Sequence, residues 1–328
     1  MSDAAATSHH LGIDLGGTNL KFAVVERVGS DWRTIEHGQE PTRASGGPDA
    51  VVAQIASMAL AAIGRWPDIE TVGIGVPGLY DPTRGTTRFL VNVPGDWDGR
   101  PLGAPVAAAV GVPVALINDA RAFGLAELRL GAGRGASSLV GLTLGTGVGG
   151  VIAIDGQVHL GHDGTAGEVG HQTIDPDGPL CGCGNRGCVE AFARADRIAE
   201  ACGTDGVEAA VTAARAGDER ALAGMARVGA ALGIGIANMI VVISPDRVVI
   251  GGGIAAAGEL LLGPIREELR RRVHTTALDG VELVTAELGP LAGSIGAAIH
   301  GAEAAGSGAV AAAAEAVGAD AAEATLTR

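Results

Sequence analysis

The residues with the clearest chemistry lie between His171 and Cys188, where the chain reads HQTIDPDGPLCGCGNRGC. Three of its four cysteines, Cys181, Cys183 and Cys188, fall within eight residues, and His171 precedes the first of them by ten. One imidazole nitrogen and three thiolates make the donor set of a closed tetrahedral zinc site. Such a site leaves no ligand position for an activated water and therefore reads as structural. The plain alternative is three reduced surface thiols beside a core histidine. The opening residues MSDAAATSHH lack the basic and apolar regions of a secretion signal, so the clustering argues for metal over disulfides and for a cytoplasmic protein. Cys202 stands apart on a helical stretch and reads as a buried apolar residue.

Two further stretches have a chemistry of their own. GIDLGGT at residues 12–18 and GLTLGTGVGG at 141–150 are apolar runs that break into a Gly/Thr turn and then resume. The turns Gly16-Gly17-Thr18 and Gly145-Thr146-Gly147 can present backbone N–H and hydroxyl donors to a ligand, and the ligand such donors suit is a polyphosphate. Neither turn has the G-x-G-x-x-G spacing, and each leads into a strand rather than a helix, which argues against a dinucleotide site or a Walker loop. Lys21, just past the first turn, could reach a phosphate or be an ordinary exposed strand lysine. The apolar run PVALIND ends in Asn118 and Asp119. Asp119 has two readings: a general base that takes the proton of an attacking hydroxyl while Asn118 fixes another, or the N-cap of the helix that starts at Ala120.

The elements that must hold these groups follow from the hydrophobic pattern. A strand, a turn and a strand span 11–28, a helix 49–65, and TVGIGVPG and PVALIND are buried strands. The helix ARAFGLAELRLG precedes the second strand–turn–strand unit at 138–154. After the glycine- and cysteine-rich segment 161–188 come several helices to 243, the strand RVVIGGG, a helix at 257–272 and a closing helix at 291–305. The apolar run from Val228 to Ser244 contains Asn238 and reads as a buried helix rather than a membrane span. Residues 12–25 and 141–154 look like one unit used twice, each opening one half of an α/β chain. This predicts two similar domains around a cleft, with polar residues at the carboxyl ends of strands facing the ligand. The expected boundaries are a smaller domain over 1–118, completed by the helix 291–305, and a larger one over 119–290 that carries the zinc loop. The Ala/Gly tail 306–328 lacks large apolar residues and is expected to be disordered.

Composition narrows the partners. The chain has 328 residues, enough for two cores, and 47% hydrophobic content with only 2% aromatic, so Ala, Val, Ile and Leu must do the packing. A net charge of −14 opposes non-specific binding to nucleic acid or to an anionic membrane and favours small molecules.

In order along the chain, GIDLGGTNLKFAVV, GIGVPG, INDA, LTLGTGVGGVI, AGEVGH, CGCGNRGCVE and VVIGGG resemble the motifs of ROK-family sugar kinases, nearest their bacterial ATP-dependent glucokinases, over residues 11–300. The most specific element is Glu-x-Gly-His followed by Cys-x-Cys-Gly-x-x-Gly-Cys-x-Glu. The resemblance implies the duplicated actin and hexokinase-like (ribonuclease H-like) fold, a homodimer or homotetramer, and transfer of the γ-phosphoryl group of ATP to the 6-hydroxyl of glucose. It makes Asp119 the base and gives Asp14 the Mg²⁺ that accompanies ATP. The two turns take phosphate, and Gly251, Gly252 and Gly253 lie against adenosine. It gives sugar hydroxyls to Glu168, Glu190 and the second nitrogen of His171, with Asn92 as a further sugar contact. The chain departs from the usual pattern in PGDWDG, with Asp96 inserted before Trp97, in Arg121 where Asn is common, and in Arg194 where a small residue is frequent. Those departures leave open fructose, an amino sugar or an N-acetylhexosamine as the substrate. Polyphosphate is the alternative donor, but family members specialised for it typically lack the cysteine cluster, so the resemblance favours ATP. A sugar-responsive regulator of the same family would need a helix-turn-helix ahead of the first hairpin, where only ten residues precede Leu11.

Overall fold

Alternating apolar residues on either side of the first glycine turn pair as an antiparallel hairpin, β1 (Thr7–Leu15) with β2 (Asn19–Val28), in a register that sets Asp14 opposite Lys21. The chain continues through β3 (Asp31–Pro41), α1 (Gly47–Arg65), β4 (Ile69–Val76), β5 (Gly78–Asp81), β6 (Thr86–Leu90), β7 (Arg100–Pro101), α2 (Gly103–Val110), β8 (Val114–Asn118) and α3 (Asp119–Leu130). Five of these strands make a sheet in the order β3-β2-β1-β4-β8, with β1, β4 and β8 parallel. Leu11, Ile13 and Leu15 of β1 and Val72, Ile74 and Val76 of β4 are fully buried, as expected of strands covered on both faces. The other three strands form a separate small sheet, β5-β6-β7.

The second hairpin repeats the first. β9 (Leu139–Leu144) pairs antiparallel with β10 (Val148–Ile154), followed by β11 (Gln157–Val158), α4 (Glu190–Ala193), α5 (Ala195–Cys202), α6 (Val207–Arg215), α7 (Glu219–Ile243), β12 (Arg247–Gly251), α8 (Glu259–Arg272) and β13 (Glu282–Thr285). Its sheet runs β11-β10-β9-β12-β13, again a hairpin extended by parallel strands. Val140, Leu142, Val248 and Ile250 of this sheet share one core with Val228, Leu232 and Ile236 of α7 and Ile265 and Leu269 of α8. The last helix is α9 (Ala292–Gly306). Helices α1 and α7 are long and apolar enough to cross a membrane by length and composition alone, yet each puts its apolar side into a core. The run from Val228 is thus part of a core helix.

The computed structural model describes residues 6–306, so the tail beyond lies outside the described residues. The described residues divide into two compact units, the first of residues 6–130, 161–165 and 290–306, the second of 131–160 and 166–289. Two boundaries differ from the sequence expectation. The division falls after Leu130 rather than after Asn118, because α3 packs on α9. The short segment 161–165 also returns to the first unit, where the Arg121 side chain donates to the Thr165 carbonyl at 2.9 Å. Strand β3 and the small sheet were not foreseen either. β3 is a mostly polar edge strand, DWRTIEHGQEP, and the small-sheet strands are two to five residues long, too short to show a period.

Helix α9 lies directly on the backbone of β1 and β4. A Cβ at Gly73 would sit 1.7 Å from the Ala297 carbonyl oxygen, so this strand position admits no side chain. Gly64, in α1, has open space around its Cβ position. Gly73→Ala should therefore destabilise the protein by about 3 kcal/mol or more through overpacking, whereas Gly64→Ala should stabilise it by up to about 1 kcal/mol. Urea midpoints for the two variants check the contrast.

Candidate active site

The parallel strands of the first unit end at one edge, and the candidate residues sit there. Asp14 of β1 is in register with Gly75 of β4, Gly75 with Ile117 of β8, and Asn118 and Asp119 follow. With strands spaced by about 4.8 Å, this puts Asp14 roughly 10 Å from the start of α3. Burial pushes the Asp14 carboxyl up from its usual range, and the Lys21 ammonium, 3.8 Å away, opposes that shift. The Asp14 side chain is only 16% exposed. A buried carboxylate facing a cation and a phosphate-type turn fits a hard divalent ion, which takes oxygen ligands and shares them with phosphate.

The first turn is braced through its carbonyls. Gly16 N–H donates to the Asn19 carbonyl at 3.1 Å, while the Thr42 hydroxyl and N–H donate to the carbonyls of Gly16 and Thr18 at 2.7 and 2.9 Å. The N–H groups of Gly17 and Thr18 have no acceptor among the described residues. A Cβ at Gly17 would lie 2.3 Å from the carbonyl oxygen of Asn92. Asn92 itself, with φ 62°, is thereby brought to the turn.

At the start of α3 the two readings of Asp119 separate. The Asn118 side-chain oxygen accepts from Ala120 N–H at 3.0 Å and Arg121 N–H at 3.2 Å, which are the bonds of an N-cap. Asp119 is half-buried at the first helical position, and its Oδ1 also accepts from Ala120 N–H at 2.9 Å. Asn118 is thus the cap of α3. The Asn118 amide donates to the Gly78 carbonyl at 3.1 Å, leaving its other amide proton for a ligand. Arg121 is the largest fully buried side chain among the described residues; its guanidinium donates to Asn118 Oδ1 at 2.9 Å and, as above, to Thr165. Burial pushes the Tyr80 hydroxyl up to about 12 despite the nearby positive charge of Arg121.

In the second unit the turn Gly145-Thr146-Gly147 is closed by a Gly145 N–H bond to the Gly147 carbonyl at 2.9 Å. Strand β12 pairs Gly251 with Thr143 of β9, so Gly251, Gly252 and Gly253 lie beside this turn. Nearby, His171, Cys181, Cys183 and Cys188 place their ligand atoms within 4.8 Å of one another. His171 Nδ1 is 3.7 Å from Cys181 Sγ, and Cys183 Sγ is 3.8 Å from Cys188 Sγ. Sulfurs bound to a tetrahedral zinc at ~2.3 Å stand ~3.8 Å apart, so the geometry fits that ion. His171 Nε2 faces Glu168, 3.7 Å from its carboxylate, so the two ring nitrogens have different partners. Glu190 lies against Cys181 and the turn, accepting from Val148 N–H at 3.0 Å. Burial pushes the Cys181 and Cys188 thiols up, whereas the Asn185 backbone N–H holds Cys183 down. Metal binding must therefore displace protons here.

The structure groups every candidate with others of its own unit: Asp14, Gly16, Gly17, Thr18, Lys21, Asn92, Asn118 and Asp119 in the first, and the turn, the thiol cluster, Glu168, Glu190 and the glycines after β12 in the second. Two contributors escaped the sequence reading. Thr42 sits far from the turn in sequence and carries no motif. Arg121 was visible only as a departure from pattern. Lys21, singled out from sequence, is also the single lysine among 23 basic residues, the rest being arginine.

Residues 10–303 match the model of the ROK family. The glucokinase of Thermotoga maritima is 37% identical over 307 residues, spanning 88% of this chain and 95% of that protein. The crystal structure of a ROK hexokinase from Thermus thermophilus, 34% identical, superimposes with a TM-score of 0.82 over 92% of this chain and 100% of that one. A ROK family glucokinase from Streptomyces griseus, solved in complex with glucose and AMPPNP, does so with a TM-score of 0.75 at 33% identity, covering 90% of this chain and all of that one.

Protein purified without added metal should carry one zinc per chain. Because a closed site of this type contributes to folding, chelation should lower the melting temperature. Elemental analysis and calorimetry before and after chelation test this, and stable, zinc-free protein would rule the site out.

Proposed function

From the premise that the chain belongs to the ROK family, we propose that it is an ATP-dependent glucokinase that transfers the γ-phosphoryl group to the 6-hydroxyl of glucose. The observation that carries the chemistry is the division of labour at α3. Asn118 supplies the two side-chain bonds of the cap, with Asp119 Oδ1 sharing Ala120 N–H, and the Asp119 carboxylate stands half-buried at a helix N-terminus beside the strand edge that holds Asp14.

The sugar oxygen attacks the γ-phosphorus while Asp119 accepts the hydroxyl proton. The bond from phosphorus to the bridging oxygen breaks, and ADP leaves. The N–H groups of the two glycine turns and the Lys21 ammonium hold phosphate oxygens, where charge on the transferring group is largest. Asp14 would hold the Mg²⁺ that accompanies ATP, an ion that neutralises phosphate charge and orients the chain. Gly251, Gly252 and Gly253 leave room for the adenosine part. Asn92, the remaining Asn118 amide proton, Glu168, Glu190 and His171 Nε2 read the sugar hydroxyls. His171 Nδ1 and the three cysteines would hold zinc as a structural ion, in a cytoplasm that keeps thiols reduced.

Two measurements test this reading. Asp119→Asn should lower kcat by on the order of 10²–10⁴-fold, the usual contribution of a general base, while glucose affinity and melting temperature stay near wild type because Asn118 still caps α3. A variant that keeps most of its turnover would remove Asp119 as the base. Since Lys21 is the single lysine, an amine-directed reagent followed by peptide mapping reports on that one side chain. MgATP should slow its labelling several-fold and glucose alone should not; labelling indifferent to MgATP would take Lys21 out of the nucleotide site.

A further inference from the structure

Glu190 connects two features of the second unit that the proposed function treats separately. It is the first residue of α4, two residues after Cys188. One of its carboxylate oxygens accepts from the Cys181 thiol at 3.6 Å, and the other accepts from Val148 N–H at 3.0 Å, the first backbone donor after the turn Gly145-Thr146-Gly147. The fit between carboxylate and turn is tight: a Cβ at Gly147 would lie 2.6 Å from Glu190 Oε2. The other flank of the turn is held by the same stretch of chain, because Ala195 N–H donates to the Gly145 carbonyl at 3.0 Å. The turn is therefore mounted on the segment 190–195, and that segment begins at the thiol cluster.

We propose that Glu190 is a positioning residue that couples the His171, Cys181, Cys183 and Cys188 cluster to the grip of the second glycine turn on phosphate. A metal held by the cluster would fix the Cys181 sulfur, against which Glu190 Oε1 packs, and Cys188 at the foot of α4. Both constraints act on the carboxylate whose other oxygen sets the Val148 N–H, and so on the direction of the turn's donors. Coupling of this kind is reciprocal: if the cluster alters nucleotide affinity, nucleotide must alter the cluster. The inference rests on the reading of Gly145–Gly147 as a nucleotide turn, and it gives Glu190 a task separate from contact with sugar.

The reciprocal effect is directly visible in protein whose cluster is loaded with Co²⁺, since cobalt–thiolate absorption reports the geometry of the site. Titration with Mg²⁺ and a non-hydrolysable ATP analogue, without sugar, should change the cobalt bands as the analogue binds. In Glu190→Ala the analogue should bind about 5- to 150-fold more weakly, the usual span of such couplings, and the bands should no longer respond. Glu190→Gln keeps an acceptor for Val148 N–H and should restore most of the affinity. Analogue that binds wild-type protein with unchanged bands overturns the coupling. So does a full spectral response in Glu190→Ala, or a variant that loses glucose affinity alone. Failure of the analogue to bind wild-type protein at all overturns the kinase reading instead. The wild-type titration stands without any variant, so a misfolded Glu190→Ala leaves it decisive.

Discussion

A backbone turn that grips an anion must keep N–H groups without acceptors inside the protein, and an unpaired buried donor costs about 1–3 kcal/mol. On the function proposed above, the surroundings of both turns follow from that constraint. Thr18 and Thr146, at the turn tips, are exposed, so donors there meet water. The shape of each turn is then held through its other groups. Thr42 takes the carbonyls of Gly16 and Thr18 in one, and Ala195 and Glu190 take the Gly145 carbonyl and the Val148 N–H in the other. The braces come from quite different parts of the chain, a strand end in the first case and a helical pair in the second. What the two halves share is the sheet order and the turn; each supports the turn in its own way.

Electrostatics at the first turn runs against the chain as a whole. The protein carries a net charge of −14, and its proposed ligand is also anionic, so attraction has to be local. Asp14 and Lys21 face each other across the hairpin, with the acid's pKa raised by burial and drawn back by the ammonium. A carboxylate in that position is costly unless a cation is near. Lysine suits the place better than arginine would: a compact, strongly hydrated ammonium on a flexible stem can move between a carboxylate and a phosphate, whereas a planar guanidinium favours one bidentate partner. In a chain that otherwise uses arginine throughout, this difference gives the single lysine its meaning.

Much of this was legible in the residues. Both hairpins, the thiol cluster, the ends of β4 and β8, and α3, α8 and α9 are all near where the pattern of apolar and glycine residues put them, because each is a local property of sequence. Long-range packing was not legible. The division of the chain falls after Leu130 because α3 lies on α9, a contact between segments far apart in sequence. The return of 161–165 to the first unit depends on one buried guanidinium reaching Thr165. Nor could the cap of α3 be assigned from sequence, since Asn118 and Asp119 are both good capping residues at adjacent positions and only the orientation of the side chains separates them.

That last ambiguity shows how an acid can be kept for chemistry at a helix N-terminus. Four N–H groups there seek acceptors, and a carboxylate placed among them is usually spent on the nearest. Here Asn118 supplies a neutral oxygen to two of those groups and also accepts from the Arg121 guanidinium, a triple load that holds its side chain in one orientation. Arg121 in turn has Thr165 as a second acceptor, three residues ahead of Glu168 in sequence. The arginine that stood out as a departure from pattern therefore holds the cap, and Asp119 Oδ1 shares Ala120 N–H with it. A smaller residue at position 121 would leave Asn118 free to turn, and Asp119, which already accepts from Ala120 N–H, would then take more of the helix end.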